Sequence, residues 1–145
     1  MKYPLRNAVV GLTVLGLINI GLAAYQVTAA QKDDPLGAFP VQRVVEVTDT
    51  HVIVEGVKCA DRPVRINGTS NWVSVDTPGR RVTGGGGARE HPGGCEVRVF
   101  TNEFPPEVLA NPGVWHIVGT NCPIDQDGKI IGLCRTWETE NFQVG

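Results

Sequence analysis

Residues Ala8 to Tyr25 form an uncharged, mostly apolar run of 18 residues near the start of a 145-residue chain. As a helix rising 1.5 Å per residue it would reach about 27 Å, close to the ~30 Å hydrocarbon thickness of a bilayer. That length marks it as a segment that enters or crosses a membrane. Lys2 and Arg6 precede it, and Asp33 and Asp34 follow it. The positive-inside rule then puts the N-terminus in the cytoplasm and everything after Ala30 outside. Val27-Thr28-Ala29-Ala30 supplies the small residues of a signal-peptide cleavage site, but the apolar run is long for a signal-peptide core. Tyr25 near the outer end suits an interfacial anchor. The expectation is a retained transmembrane anchor over residues 1–30, with a secreted form cleaved near Ala30 as the alternative. Gly11, Gly16 and Gly21 recur every five residues, off the spacing of a helix-dimer seam.

The stretch 31–40 is polar and punctuated by proline, and it reads as a tether, leaving residues 41–145 as one extracytoplasmic domain. After Ala30 the chain has 15 acidic residues against 11 basic ones, a net charge of −4. That balance excludes nucleic acid as the expected partner, since such binding rests on neutralising phosphates.

Eighteen glycines and ten prolines, mostly after Asp34, favour many turns, and no apolar stripe of helical period appears after Ala30. Instead β-branched runs alternate with turn residues: Val41 to Val47, Val52 to Val57, Val64 to Ile66, Trp72 to Val75, Cys95 to Phe100, Val114 to Val118 and Thr136 to Val144. Seven such runs fit an all-β sandwich. The two-residue period at Cys95, Val97 and Val99 against Glu96 and Arg98 predicts the first set inside and the second in solvent. Around Trp115 and Ile117 the neighbouring Val114, His116 and Val118 predict a strand buried on both faces. Thr48-Asp-Thr50 and Asp127-Gly128 read as hairpin turns. Phe104-Pro-Pro through Pro112 reads as a crossing between sheets with one helical turn.

Cys59, Cys95, Cys122 and Cys134 all lie in the exported part, where disulfides form. Of the three pairings, Cys122 with Cys134 would clamp the arms of the Asp127-Gly128 hairpin, and Cys59 with Cys95 would join two strands; these two are favoured. No pair has the C-x-x-C spacing of a zinc site.

Candidate chemistry is sparse. Pro123 to Lys129 matches part of a calcium loop, with Asp125, Asp127 and Gly128 in register, but Pro123 and Cys134 stand where the first carboxylate and the bidentate glutamate belong, so a turn is expected. Arg80, Arg81 and Arg89 surround a tetraglycine that reads as a hairpin tip able to offer N–H groups and guanidinium forks to a phosphate or a carboxylated sugar. It lacks the ending of a P-loop. His51, His91 and His116 have no ligand spacing, and neither Ser70 nor Ser74 sits in G-x-S-x-G. Asn67-Gly-Thr69 is an N-glycosylation sequon that would mark an exposed turn. Trp72, Trp115 and Trp137 are expected to serve the core rather than a carbohydrate platform.

The run Trp115-His-Ile-Val-Gly-Thr-Asn-Cys122, the run Cys134-Arg-Thr-Trp-Glu-Thr-Glu-Asn-Phe-Gln-Val144, Val57-Lys-Cys59 and Gly94-Cys95 are similar to the closing strands and cysteine positions of small membrane-anchored, immunoglobulin-like proteins of actinobacterial phages. The resemblance implies an immunoglobulin-like β-sandwich, an anchor and a phage origin, and it assigns no functional residue. The resulting expectation is a non-enzymatic protein without a cofactor that displays an interaction module at the cell envelope and binds another envelope protein or a surface polymer. An envelope hydrolase is the remaining alternative.

Overall fold

The computed structural model describes residues 34–37, 39 and 41–145. The expected membrane span, Ala8 to Tyr25, lies outside them. No helix among the described residues is long and apolar enough to cross a membrane.

Among the described residues, eight strands and one short helix follow in order: β1 (Arg43–Val47), β2 (His51–Ala60), β3 (Val64–Ser74), β4 (Arg81–His91), β5 (Gly94–Glu103), α1 (Pro106–Leu109), β6 (Gly113–Ile124), β7 (Arg135–Glu138) and β8 (Phe142–Val144). They form two antiparallel sheets. One has the order β1-β2-β5; the other runs β4-β3-β6-β7, with β8 also paired to β6. The all-β expectation is met, and α1 is the single turn expected after Pro105 and Pro106. Val52 and Val54 of the first sheet pack with Trp72, Trp115, Ile117 and Phe142 of the second, joined by Phe104 and Val108 from the crossing. The rings of Trp72 and Phe104 meet edge-on at 5.6 Å.

The strand boundaries differ from the expectation in two places. The runs 64–66 and 72–75 belong to one strand, because the polar Asn67-to-Asn71 stretch between them pairs with β6 along its whole length. The sequon Asn67-Gly-Thr69 therefore lies mid-strand, not in a turn. The tetraglycine is likewise no hairpin tip: Gly84 to Gly87 are part of β4, paired with β3. Backbone hydrogen bonding with a strand neighbour outweighs the low β propensity of glycine there.

The facing of β5 is opposite to the expectation. Val97 and Val99 are 64 % and 61 % exposed, and Cys95 is exposed with them, while Glu96, Arg98 and Phe100 turn inward. Phe104, just past the strand, is anchored in the core, and the strict two-residue period carries its parity back to Glu96. On β6, Trp115 and Ile117 are fully buried, and Val114, His116 and Val118 are half-buried beneath the neighbouring strands.

Both favoured disulfides are present. Cys59 and Cys95 are direct partners across β2 and β5, and Cys122 bridges to Cys134 around the 125–128 turn. That turn is closed by the Asp125 carboxylate, whose Oδ1 accepts the N–H groups of Asp127 (3.0 Å) and Lys129 (2.8 Å), with Gly128 at φ +82°. Asp125 is thus a turn-former, as expected. The Thr48–Thr50 turn is held similarly, with Thr48 Oγ1 accepting from the N–H of His51 at 3.1 Å.

Part of the stretch read as a tether is docked on the sandwich. Pro35 and Leu36 are buried, and the Gly37 N–H donates to the Cys59 carbonyl at 3.1 Å.

Candidate functional site

The inward faces of the three long strands share a pattern. Along β2 they read Val52, Val54, Gly56, Lys58, Ala60; along β3, from the other end, Trp72, Ser70, Gly68, Ile66, Val64; along β6, Trp115, Ile117, Gly119, Asn121, Pro123. Each strand is apolar at both ends and small or polar in the middle. The ends pack into two separate apolar clusters, the larger around Trp72 and the smaller made of Leu36, Ala60, Val64 and Ile66. Between them the glycines leave a cleft of about 200 Å³. Lys58, Gln42, Asn121, Trp137, Phe100 and Arg89 reach into it.

Three glycines act as seats for three of these side chains. A Cβ on Gly56 would stand 2.7 Å from Cδ of Gln42, one on Gly68 would stand 2.8 Å from Oδ1 of Asn121, and one on Gly119 would stand 2.2 Å from the Trp137 ring. A Cβ at any of the three would displace the side chain seated there. Gln42 is fixed further by its backbone: its N–H donates to the Glu138 carbonyl at 2.8 Å, and its own carbonyl accepts from Glu140 N–H at 2.9 Å. This staples the start of β1 to the β7–β8 connection of the opposite sheet. Gln42 Nε2, Asn121 Nδ2 and Trp137 Nε1 are nevertheless buried donors with no hydrogen-bond partner among the described residues. Such groups are normally satisfied, and here three of them belong to residues that line one cleft.

Arg89 reaches the cleft through a bulge. Gly84 and Gly85 together face Ser70, so the register between β3 and β4 slips by one residue. Before the slip Val82 points inward opposite Trp72; after it Arg89 and His91 do, opposite Ile66 and Val64. Ser70 Oγ donates to the Gly85 carbonyl at 2.9 Å and holds the bulge.

The electrostatics of the waist are unbalanced. Lys58 is 2 % exposed, with Nζ 4.7 Å from the Phe100 ring centroid and 5.7 Å from that of Trp137. Burial, then the charges of Arg89 and Arg98, lower its pKa to about 7, and Glu96 opposes them. Arg89 also lies over the Phe100 ring, 5.5 Å from the centroid. Burial and Arg98 also lower its pKa, yet a guanidinium stays charged. Glu96 is the carboxylate of the group. It binds Arg98 at 2.6 Å and His91 Nε2 at 3.2 Å, and the Arg98 hydrogen bond holds it below the usual carboxylate range. His91 Nδ1 accepts the Gly93 N–H at 3.0 Å, which leaves Nε2 as the protonated nitrogen facing Glu96. Lys58, Arg89 and Arg98 thus face one carboxylate.

Of the three arginines singled out in the sequence, Arg89 alone lines the cleft. Arg81, eight residues away along β4, is about 26 Å distant at ~3.3 Å per residue, and Arg80 hydrogen-bonds Asn111. His51 lies between Thr48 and Thr50, and His116 sits on β6. No group of three or more His, Cys, Asp or Glu able to hold a metal occurs among the described residues. Ser74 accepts the Thr77 N–H at 3.1 Å. Trp72 and Trp115 are buried in the core as expected, and the half-buried Trp137 packs against that core while also lining the cleft.

Lys58, Gln42 and Asn121 carried no site expectation in the sequence, and Glu96 and Arg98 were expected in solvent. A signal for three of the waist positions was present: Gly56-x-Lys58, Gly68-x-Ser70 and Gly119-x-Asn121 repeat glycine and a polar residue at the two-residue strand period.

No protein-family model matches the chain, and the search of curated proteins found no match. Among solved structures, the chain is similar to the selenomethionine-labelled β-glucosidase from Kluyveromyces marxianus at a TM-score of 0.35 and 12 % identity, over 72 % of this chain. It spans 14 % of that enzyme's length.

Proposed function

We propose that the chain is a non-enzymatic, single-pass membrane protein that displays an immunoglobulin-like β-sandwich outside the membrane as a binding module, and that the waist cleft is its binding site. The observation that carries this is the cleft itself: a β-sandwich interior is ordinarily apolar, and here a buried lysine and three residues with unpartnered buried donors line a cleft. Such groups cost stability in the empty state and gain it when a ligand supplies acceptors. Ser70 engages its hydroxyl with a backbone carbonyl, which suits holding over reaction.

The strand order supports the immunoglobulin-like reading. With β1, β2 and β5 as strands A, B and E, the second sheet becomes C′-C-F-G, and Trp72 occupies the position of the strand-C tryptophan. Cys59–Cys95 departs from the immunoglobulin pattern, since it joins two neighbours of one sheet instead of B to F across the sheets. Both disulfides support the side of the membrane assigned by Lys2 and Arg6. The anchor at Ala8 to Tyr25 and the phage origin rest on the sequence.

A reporter fused after Gly145 should be digested by external protease in spheroplasts, and protection of the reporter would reject the orientation. Mass spectrometry of the membrane fraction should find the chain still carrying Met1; a mature N-terminus near Gln31 would instead favour the secreted form.

A further inference from the structure

We infer that the waist cleft takes a carboxylated sugar residue, with Arg89 and Lys58 meeting the carboxylate and Gln42, Asn121 and Trp137 meeting the hydroxyl oxygens. This rests on the waist being the binding site. Three observations carry it. First, three residues that line the cleft carry a buried donor without a partner: Gln42 Nε2, Asn121 Nδ2 and Trp137 Nε1 ask for oxygen acceptors. Second, the positive charges exceed the negative. Glu96 is already occupied by Arg98 and His91, so Arg89 and Lys58 are the cations left for an incoming anion. Third, the cleft is bounded by the rings of Trp137 and Phe100, and about 200 Å³ is room for one small ring, too little for a folded peptide segment. A neutral sugar would leave two cations uncompensated, and a simple carboxylate would leave three donors unmet.

The charge on Lys58 gives the site a pH dependence. The charged groups around its amine are Arg89 from β4 and Glu96 and Arg98 from β5, with the His91 ring of β4 beside the Lys58 carbonyl, while β6, β7 and the segment before β1 present the neutral Asn121, Trp137 and Gln42. A bound carboxylate favours the ammonium form, so affinity falls as pH rises through about 7 and Lys58 loses its proton.

The test uses the full chain in detergent, titrated calorimetrically with D-glucuronate, D-galacturonate, D-glucose and acetate, with tryptophan emission followed in parallel. At least one uronate should bind at least ~10-fold more tightly than glucose and acetate, the difference expected of one charge-assisted contact worth ~1.4 kcal/mol or more. Arg89→Gln should remove that preference, and Lys58→Met should flatten the decline of affinity between about pH 6 and pH 8.5. Circular dichroism of both variants establishes that they are folded. Equal binding of glucose and uronates, with Trp137→Phe abolishing the emission change, would overturn the carboxylate and leave the cleft as the site. Acetate binding as tightly as the uronates would overturn the sugar. No saturable response to either uronate would overturn the inference while leaving the waist open to another ligand. Uronate binding that neither Arg89→Gln nor Trp137→Phe alters would move the site elsewhere and remove the proposed role of the waist.

Discussion

The Trp137 indole rests against the backbone of Gly119, where a Cβ would meet its ring at 2.2 Å. The pair is the tightest of the three seats that shape the waist. Gly119→Ala must therefore push the indole out of the cleft wall. A loss of about 1–3 kcal/mol is expected, the usual cost of overpacking, with a shift in tryptophan emission. Urea denaturation followed by fluorescence reads both; an unchanged midpoint and spectrum would mean that the indole is not held by this contact.

The tetraglycine makes an alternating prediction. A Cβ on Gly86 would lie 2.5 Å from the Gly68 carbonyl oxygen, which is backbone and cannot swing away, whereas Gly85 and Gly87 have open space. Gly86→Ala should cost more than ~1 kcal/mol, while Gly85→Ala and Gly87→Ala should be neutral or stabilising by ~0.5 kcal/mol through reduced unfolded-state entropy. Thermal melts of the three variants decide it, and equal behaviour would contradict the bulged strand.

Lys58 should weaken the fold in a defined pH window. Its pKa falls from 10.5 to about 7 on folding, so between those values the unfolded chain binds the extra proton and the wild-type contribution to stability rises with pH. The penalty is fully present below about 7 and gone above 10.5. Lys58→Met should thus gain most at about pH 6, by up to ~5 kcal/mol relative to its effect at high pH, at ~1.4 kcal/mol for each tenfold loss of proton affinity. Denaturant titrations of both proteins across that range would show a pH-independent difference if the amine were not desolvated.

The two disulfides should contribute unequally. They close loops of 36 and 12 residues, so the loop-entropy account assigns about 4 kcal/mol to Cys59–Cys95 and about 3 kcal/mol to Cys122–Cys134. Paired Cys→Ala variants, compared by denaturant midpoint, should rank in that order.

Much of the strand framework was legible because it depends on near neighbours in the chain. The β-branched runs, the Asp127-Gly128 turn and the helical turn after two prolines are local preferences that the fold only had to accept. The cysteine pairing was legible for a related reason, since one pair brackets a turn and the other sits on two strands. Sequence and structure part where a partner strand decides. Asn67 to Asn71 and Gly84 to Gly87 look like loops alone and become strands when hydrogen-bonded to each other and, for the first, to β6. The facing of β5 is reversed because three alternating apolar residues and two charges point to one answer locally, and a phenylalanine beyond the strand, locked against Trp72, imposes the other.

The sequence by itself determined the all-β class, the four-cysteine framework and the expectation of a membrane segment at residues 8–25, all of which follow from composition, local periodicity and segment length. Only the tertiary structure decided that Lys58, Arg89, Gln42, Asn121 and Trp137 share one cleft. These residues lie on different strands of two sheets and on the segment before β1, and what gathers them is the register of each pairing, including a one-residue slip at Gly84 and Gly85. Register is a relation between strands, carried by hydrogen bonds across the sheet and by the core on either side of the waist, and no single segment of the chain contains it.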